Sequence, residues 1–320
     1  MAVYTQVSRE QLIEFLKDYD LGALISHEGI QQGVENTNYV VYTDAGRFIL
    51  TLFEKRTKRE DLPFFFAFTD HLTKKGIKCP QGIPAKDGQV IRQLAERPAV
   101  LISFLDGKEL PAHMISPDYC RQLGVAVAFL HKSAEDFPLK RENSMSIPAW
   151  QALMAKTRDK ADGVQAGLRD YLETELGYIA HSLPQLVQTL PRAVVHADIF
   201  PDNVFFKTEE VYGFLDFYFS CTDFLTYDLA LVINAWCFDA QNKFVPERFK
   251  ALIEGYEAIR PLSEDEKETL SLLCRAAALR ITMTRLHDWV FHDPANFVKP
   301  KNPLEYVEKL KFHQNERIGS

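Results

Sequence analysis

The predicted fold rests on one short stretch of the chain, His196-Ala197-Asp198-Ile199-Phe200-Pro201-Asp202-Asn203. One apolar run, Arg192–Val195, precedes this stretch, and a second, Val204–Phe206, follows it. The segment between them contains a proline and breaks the strand pattern, so we predict two strands joined by a tight loop. Asp198 and Asn203 lie on that loop, and both side chains can point at one spot.

This pair has the chemistry that phosphoryl transfer requires. A carboxylate must orient the attacking hydroxyl and accept its proton, and an amide oxygen can hold a divalent cation without adding charge. A second carboxylate should bind the metal that bridges the phosphates, and Asp216 supplies one at the end of the apolar run Tyr212–Leu215. We therefore predict Asp198 as the catalytic base, with Asn203 and Asp216 as ligands of Mg²⁺.

A simpler interpretation of the loop has to be weighed. Asp and Asn both favour turns, so Asp198 and Asn203 taken alone could form an ordinary turn. The ordered set favours catalysis, because a His-x-Asp-x-x-x-x-Asn loop between strands is followed by a strand that ends in Asp. We predict that His196 is buried and hydrogen-bonded and holds the loop, and we interpret Asp202 as a loop residue without assigning it any chemistry.

The rest of the chain divides into two lobes of different character. Residues 1–105 are predicted to form a small, nucleotide-binding lobe built on an antiparallel sheet, and residues 106–320 a larger, mostly helical lobe for catalysis and substrate binding. The fold class is thus α+β, with an expected cleft between the lobes. The elements predicted in the small lobe are a helix at Ser8–Tyr19, a hairpin of Asn38–Thr43 and Arg47–Phe53, a helix at Asp61–Lys75, and strands at Gly88–Leu94 and Ala99–Phe104.

Composition excludes several classes of protein. Of the 320 residues, 46% are apolar and 25% charged, the balance of an ordinary globular protein. The net charge of -7 argues against general affinity for nucleic acid. Five scattered cysteines predict reduced thiols rather than a zinc site. Since no secretory signal or membrane-spanning run is seen, the expected location is the cytoplasm and no membrane partner is expected. The sequence does not predict an oligomeric state.

Longer stretches carry a family resemblance. Residues 196–203 together with Gly213–Phe217 resemble the aminoglycoside phosphotransferase and choline kinase family, which shares the protein-kinase-like two-lobe fold. The extension Phe217–Ala230, with Asn234–Cys237 after it, is similar to the homoserine kinases built on this fold. The same similarity covers two stretches near the N-terminus, Gly29–Tyr39 and Phe48–Glu54.

The resemblance implies an enzyme that uses ATP and Mg²⁺ to phosphorylate the hydroxyl of L-homoserine, a step on the way to threonine. It implies the roles given above for Asp198, Asn203 and Asp216, and a structural role for the carboxylate of Asp228. Two alternatives remain. One is a related kinase that acts on an amino alcohol, a sugar or an aminoglycoside. The other is a nucleotide-binding pseudokinase, against which the presence of the base and both metal ligands argues.

The nucleotide is expected on the small lobe. Gly33, Asn36 and Thr37 lie on a turn that could present backbone N–H groups to phosphates, although an ordinary hairpin turn would look the same. Kinases of this fold usually place a Lys on the following strand. Here Thr51 occupies that position. Either another cation, such as Lys55 or Arg56, reaches in, or the metal neutralises more of the charge.

The adenine ring is expected at the segment that links the lobes. Backbone groups of Ser103 and Leu105 could hydrogen-bond the edge of the ring, while apolar neighbours sandwich its faces. The alternative is a core strand leaving the sheet, and both can be true because an adenine pocket is built from core residues.

The acceptor pocket needs a cation for the carboxylate of homoserine and an acidic or carbonyl group for its ammonium. Arg280 and His287 share one face of a predicted helix and could bind the carboxylate. Asp223 and Tyr218 are predicted contacts of the ammonium and the hydroxyl, and Trp236 could form a wall. The alternatives are a structural acidic partner for a buried Arg and an ordinary core position for Trp236.

Overall fold

The computed structural model describes residues 4–30, 36–54, 57–208, 210–293 and 299–318. These residues form two compact units. The first consists of the described residues up to Asp106 together with Lys299, and the second begins at Gly107. Nucleotide binding by residues 1–105, and catalysis and substrate binding by residues 106–320, stay predictions.

The first unit is a five-stranded antiparallel sheet with helices. Its strands run in the order β1-β2-β3-β5-β4. Burial alternates strictly along β2, as expected for a strand with one face on a core. Its elements are α1 (Arg9–Leu16), β1 (Leu24–Gly29), β2 (Thr37–Thr43), β3 (Gly46–Leu52), α2 (Leu62–Lys74), β4 (Arg92–Leu94) and β5 (Arg97–Ser103).

The predicted hairpin and both predicted helices of this unit are confirmed. Ser8 begins α1 with a capping box, because its hydroxyl accepts from the N–H of Gln11 while the Gln11 side chain accepts from the N–H of Ser8. The strand predicted at Gly88–Leu94 is reduced to β4. Strand β1 was not predicted, since its sequence is polar and it pairs only at the edge of the sheet.

The second unit is mostly helical. Helix α6 lies at its centre, with every residue from Leu225 to Asn234 buried, as expected for a helix without a polar face. The elements are β6 (Lys108–Glu109), α3 (Pro117–Ala134), α4 (Ile147–Ala161), α5 (Leu168–Leu186), β7 (Arg192–Val195), β8 (Val204–Lys207), β9 (Glu210–Phe214), β10 (Cys221–Phe224), α6 (Leu225–Trp236), α7 (Pro246–Glu257), α8 (Glu264–Val290) and α9 (Leu304–Asn315).

Two small sheets flank the loop at residues 196–203. One has the order β6-β8-β9 and the other pairs β10 with β7. The loop predicted between β7 and β8 is therefore held at each end by a different sheet. The strand predicted to end in Asp216 stops at Phe214, because Asp216 turns into the left-handed region with a φ of 56°.

Helices α3 and α7 pack closely against each other at two glycines. A Cβ atom at Gly124 would lie 2.1 Å from the carbonyl oxygen of Leu252, and one at Gly255 would lie 2.1 Å from that of Arg121. Only glycine fits at either position, because the atoms nearest to it are backbone atoms of the other helix. The close crossing brings other side chains of the two helices into contact, such as His131 of α3 and Tyr256 of α7.

The predicted fold class is confirmed by an antiparallel-sheet unit and a mostly helical unit. Within the described residues, no helix combines the length and the apolar character needed to span a membrane.

His313, on α9, is a buried histidine whose ring hydrogen can be assigned to one nitrogen. It is 5% exposed and lies 2.7 Å, through Nε2, from Oδ1 of Asn234. The amide nitrogen of Asn234 donates to the carbonyl of Cys274, so Oδ1 accepts and Nε2 of His313 carries the hydrogen. Burial, helped by the charge of Lys309, lowers the pKa of His313 to about 3.

We expect His313 to make the protein acid-sensitive. Below about pH 6.5 the unfolded chain takes up a proton at this residue while the folded chain does not, so the free energy of unfolding falls with pH by roughly 1.4 kcal/mol per unit. His313→Gln keeps a donor near the Nε2 position but cannot titrate. Urea unfolding at pH 6.5 and pH 5 should show the wild type losing about 2 kcal/mol more than the variant. Parallel losses would contradict the assignment.

Candidate active site

The loop between β7 and β8 brings Asp198 and Asn203 together. The amide nitrogen of Asn203 donates to the backbone carbonyl of Asp198 at 2.8 Å and to its carboxylate oxygen Oδ2 at 3.0 Å. The N–H of Asn203 also donates to the carbonyl of Phe200 at 2.9 Å. Because the amide nitrogen is used in this way, the oxygen Oδ1 is the side-chain atom of Asn203 that suits a cation.

Asp216 lies beside this loop. Strand β9 pairs with β8, and the ladder continues past the strand ends where the N–H of Leu215 donates to the carbonyl of Asn203 at 2.9 Å. The next residue, Asp216, is exposed and adopts a left-handed backbone conformation. The structure thus brings the predicted base and the two predicted metal ligands to one end of one ladder.

His196 ties the loop to the strand that carries Asp216. Its ring is fully buried, and Nε2 lies 2.8 Å from the carbonyl oxygen of Leu215. Its Nδ1 accepts from the N–H of Asp198 at 3.2 Å. A carbonyl can only accept and an N–H can only donate, so the ring is neutral with its hydrogen on Nε2. Burial lowers the pKa of His196, in agreement with a neutral ring.

Asp228, at the start of α6, binds the backbone of the loop. Its carboxylate is fully buried and accepts from the N–H of His196 at 3.0 Å and from the N–H of Ala197 at 2.8 Å. Burial alone would raise the pKa of Asp228, but the hydrogen bond from His131 and the other donors lower it below its usual value. The carboxylate stays ionised and fixes two successive peptide groups.

A buried chain of hydrogen bonds reaches Asp228 from α7. Nε2 of His131 lies 3.1 Å from Asp228, and Nδ1 lies 2.8 Å from the hydroxyl of Tyr256. That hydroxyl also accepts from Arg260 at 3.2 Å, and Arg260 pairs with Glu266 at 2.9 Å. The Tyr256 hydroxyl therefore links His131 to the Arg260–Glu266 ion pair.

Ala197 has a conformation that no sequence pattern predicted. It is 2% exposed and has a φ of 64°, in the left-handed region. That region costs a residue with a Cβ about 1–2 kcal/mol. Its N–H is bound by Asp228, and its carbonyl accepts from Nη1 of Arg280 at 2.7 Å.

The predicted acceptor residues fall into two groups. Tyr218, Asp223 and His287 have partly exposed side chains. Arg280 is only 3% exposed, and Trp236 is fully buried, where its indole N–H donates to the carbonyl of Ile199 at 2.9 Å. The structure therefore places Trp236 in the core beneath the loop, and the partner of Arg280 is a backbone carbonyl rather than an acidic side chain.

Asp223 lies in a setting that suits a positive ligand. Its carboxylate accepts from the amide of Asn143 at 2.6 Å and from the N–H of Phe224 at 2.8 Å. Burial nevertheless raises the pKa of Asp223, because these neutral donors and the charge of Arg192 do not fully replace water. A cation placed against it would favour the ionised form.

The nucleotide-side predictions concern the first unit. Thr51 is 2% exposed, and its hydroxyl donates to the Asn38 side chain at 2.7 Å. The N–H of Ser103 donates to the carbonyl of Gln81 at 2.9 Å and is therefore used within the unit. Asn36 and Thr37 are buried and Leu105 is partly exposed. Gly33, Lys55 and Arg56 lie outside the described residues.

The side-chain oxygens at this site suit a metal ion that also takes ligands from phosphate. Within the part of the chain that the structure describes, no three His, Cys, Asp or Glu side chains converge to hold a metal by themselves. The oxygens of Asn203 and Asp216 are the kind that Mg²⁺ binds while it takes further ligands from phosphates and water.

Comparison with known proteins shows the family of the chain. Residues 26–262 match the sequence model of the phosphotransferase enzyme family. The chain is 46% identical over 317 residues to a homoserine kinase of Afipia carboxidovorans, covering 99% of this chain and 96% of the relative. It is 45% identical over 314 residues to a homoserine kinase of Rhizobium meliloti, covering 98% and 95%.

Solved structures show the same fold at low identity. One is the amicoumacin kinase hAmiN in complex with AMP-PNP, Ca²⁺ and Ami, with a TM-score of 0.73, 12% identity, and coverage of 97% of this chain and 94% of that one. Another is a choline kinase of Cryptosporidium parvum, with a TM-score of 0.70, 13% identity, and coverage of 96% and 95%.

The fold and the family match together define a phosphotransferase with a kinase-like fold. The chain belongs to the phosphotransferase enzyme family, and the family predicted from the sequence is confirmed.

Proposed function

We propose that this protein transfers a phosphoryl group from ATP to the hydroxyl of L-homoserine, giving O-phospho-L-homoserine. The reaction type is supported by the grouping of Asp198, Asn203 and Asp216 at one end of the β8–β9 ladder. The acceptor is supported by relatives named homoserine kinase that are about 45% identical over nearly the whole chain.

The proposed roles follow from the hydrogen bonds of the loop. Asn203 donates to Asp198 and so fixes the direction of its carboxylate, which would orient the acceptor hydroxyl and take its proton. Oδ1 of Asn203 and the carboxylate of Asp216 would hold Mg²⁺, which would offset the negative charge of the ATP phosphates. His196, neutral and bonded on both sides, would keep the loop and the Asp216 strand together.

The proposed acceptor contacts are Tyr218 and Asp223. Both follow Asp216 closely along the chain, and the ammonium of homoserine would supply the positive charge that the Asp223 carboxylate lacks. His287, on α8, is a further candidate for the carboxylate. On the nucleotide side, Asn36, Thr37, Thr51, Leu105 and the N–H groups around Gly33 are proposed contacts.

A panel of acceptors tests the proposal. With ATP and Mg²⁺, the purified protein should phosphorylate L-homoserine with the highest kcat/KM. 3-Aminopropanol is a matched control, because it keeps the hydroxyl and the ammonium but lacks the carboxylate. We expect it to be at least about a hundredfold poorer, since a site built to pair with a charged group discriminates strongly against its absence.

The panel also includes choline, ethanolamine, methylthioribose and an aminoglycoside, and phosphorus NMR identifies the phosphoester formed. Faster turnover of any of these would assign the chain to another kinase of this family. Absence of turnover with every acceptor, in a protein that still binds ATP, would favour the pseudokinase alternative.

A further inference from the structure

The peptide groups on either side of Ala197 are held by two charged side chains from different helices. The N–H of Ala197 donates to Asp228 of α6 at 2.8 Å, and its carbonyl accepts from Arg280 of α8 at 2.7 Å. Ala197 itself is 2% exposed and adopts a φ of 64°. The residue that follows is Asp198.

This conformation needs outside support. A residue with a Cβ atom disfavours the left-handed region, and an alternative rotation of the backbone at Ala197 would turn the next peptide and redirect Asp198. Water cannot replace the two hydrogen bonds, because Ala197, Asp228 and Arg280 are all buried. The strained backbone therefore persists only while both partners are in place.

The position of Arg280 suits support better than ligand binding. Its side chain is 3% exposed, and its guanidinium lies 5.5 Å from the centre of the Phe219 ring. Its Nε is also buried and has no hydrogen-bond partner within the described ranges. The hydrogen bond to the Ala197 carbonyl is therefore a main contact of the buried Arg280 guanidinium.

We propose that Arg280 is a positioning residue that holds Ala197 in its left-handed conformation and thereby sets the direction of Asp198. This inference rests on the proposed function, in which Asp198 is the base. It assigns Arg280 to the loop rather than to the carboxylate of the acceptor, and the two roles predict different kinetics.

The substitution Ala197→Gly separates the roles. Glycine adopts positive φ without steric cost, so a loop with Ala197→Gly should depend less on Arg280. Arg280→Met removes the donor and keeps the length of the side chain. Arg275→Met is the matched control: Arg275 lies on the same helix and is largely buried, but its charge pairs with Glu175 through bonds of 2.7 and 2.6 Å.

We expect Arg280→Met to lower kcat by about thirtyfold to a hundredfold, the scale of a small misplacement of a reacting group, with both KM values changed less than about threefold. In the Ala197→Gly background the same substitution should lower kcat by less than about tenfold. Hydrogen exchange of the peptide covering residues 196–203 should speed up in Arg280→Met. Arg275→Met should lower the melting temperature and leave kcat and this exchange unchanged.

Other outcomes overturn the proposal in distinct ways. A large rise in KM for homoserine with kcat retained would make Arg280 a contact of the acceptor carboxylate. Equal losses of kcat with and without Ala197→Gly, or unchanged exchange, would refute the support of the backbone. If Arg280→Met does not fold, Arg280→Lys, which keeps the charge but not the geometry, replaces it in both backgrounds. Failure of the wild type to phosphorylate homoserine would refute only the proposed function. Hydrogen exchange of residues 196–203 would still test the role of Arg280, because it does not depend on the acceptor.

Discussion

Asp198→Asn should lower kcat by about a thousandfold and change the KM for either substrate little. The substitution keeps the shape of the side chain and an oxygen that can accept from Asn203 at the 3.0 Å position. It removes the ability to accept a proton from the attacking hydroxyl, and general base catalysis is typically worth about a hundredfold to ten thousandfold. Steady-state kinetics with homoserine and ATP measure the effect.

Asp202→Asn is the matched control for this experiment. Asp202 lies on the same loop, but its side chain is exposed and pairs with Lys301 at 3.3 Å. Exposed pairs of this kind contribute about 0–1 kcal/mol, so kcat and stability should stay near the wild-type values. Similar kcat values for wild type and Asp198→Asn would show that this carboxylate is not the base.

Asp228→Ala should lower the free energy of unfolding by about 3–5 kcal/mol. The carboxylate accepts hydrogen bonds from His131, from the N–H of His196 and from the N–H of Ala197. Alanine would leave these buried donors without a partner, and each such group costs about 1–3 kcal/mol. Urea unfolding followed by circular dichroism measures the loss, and kcat should fall in the fraction that folds.

The pH dependence of this effect has a definite sign. Because the pKa of Asp228 is lowered in the folded protein, its contribution is present above the unfolded value near 3.9 and is lost as the pH falls below it. The difference between wild type and Asp228→Ala should therefore shrink below about pH 4. Asp265→Asn, an exposed carboxylate bonded to Thr189 at 2.7 Å, should change stability by less than about 1 kcal/mol at any pH. A constant difference down to pH 3 would contradict the assignment.

Local sequence was sufficient for the residues that act through short-range geometry. Asp198 and Asn203 are on one tight loop, and Asp216 ends the strand that pairs beside it, so the order of residues along the chain predicted their grouping. The β2–β3 hairpin and the cap at Ser8 were predictable for the same reason, since each depends on residues a few positions apart.

The support of the loop could not be predicted, because it comes from residues far apart in sequence. Arg280 is 83 positions from its partner Ala197, and His131 is 97 positions from Asp228. Arg280 was considered for the acceptor because its helix carries several cations, and the pattern does not show which of them is buried. The left-handed backbone of Ala197 has no sequence mark either, since alanine seldom adopts it.

Strands β1 and β10 illustrate a second limit. β1 is polar and β10 is only four residues long, so neither shows the alternation that marks a half-buried strand. Both are fixed by their partners, β2 and β7, rather than by their own composition.

The close crossing of α3 and α7 bears on how tolerance to substitution is distributed over the chain. Gly124 and Gly255 contact no predicted ligand, yet any side chain at either would push the helices apart and draw the Tyr256 hydroxyl away from His131. In a saturation mutagenesis screen scored by growth, these two positions would be as intolerant as those of the proposed catalytic residues. A map of intolerant positions would then extend from the reaction centre to a helix contact that never meets a substrate.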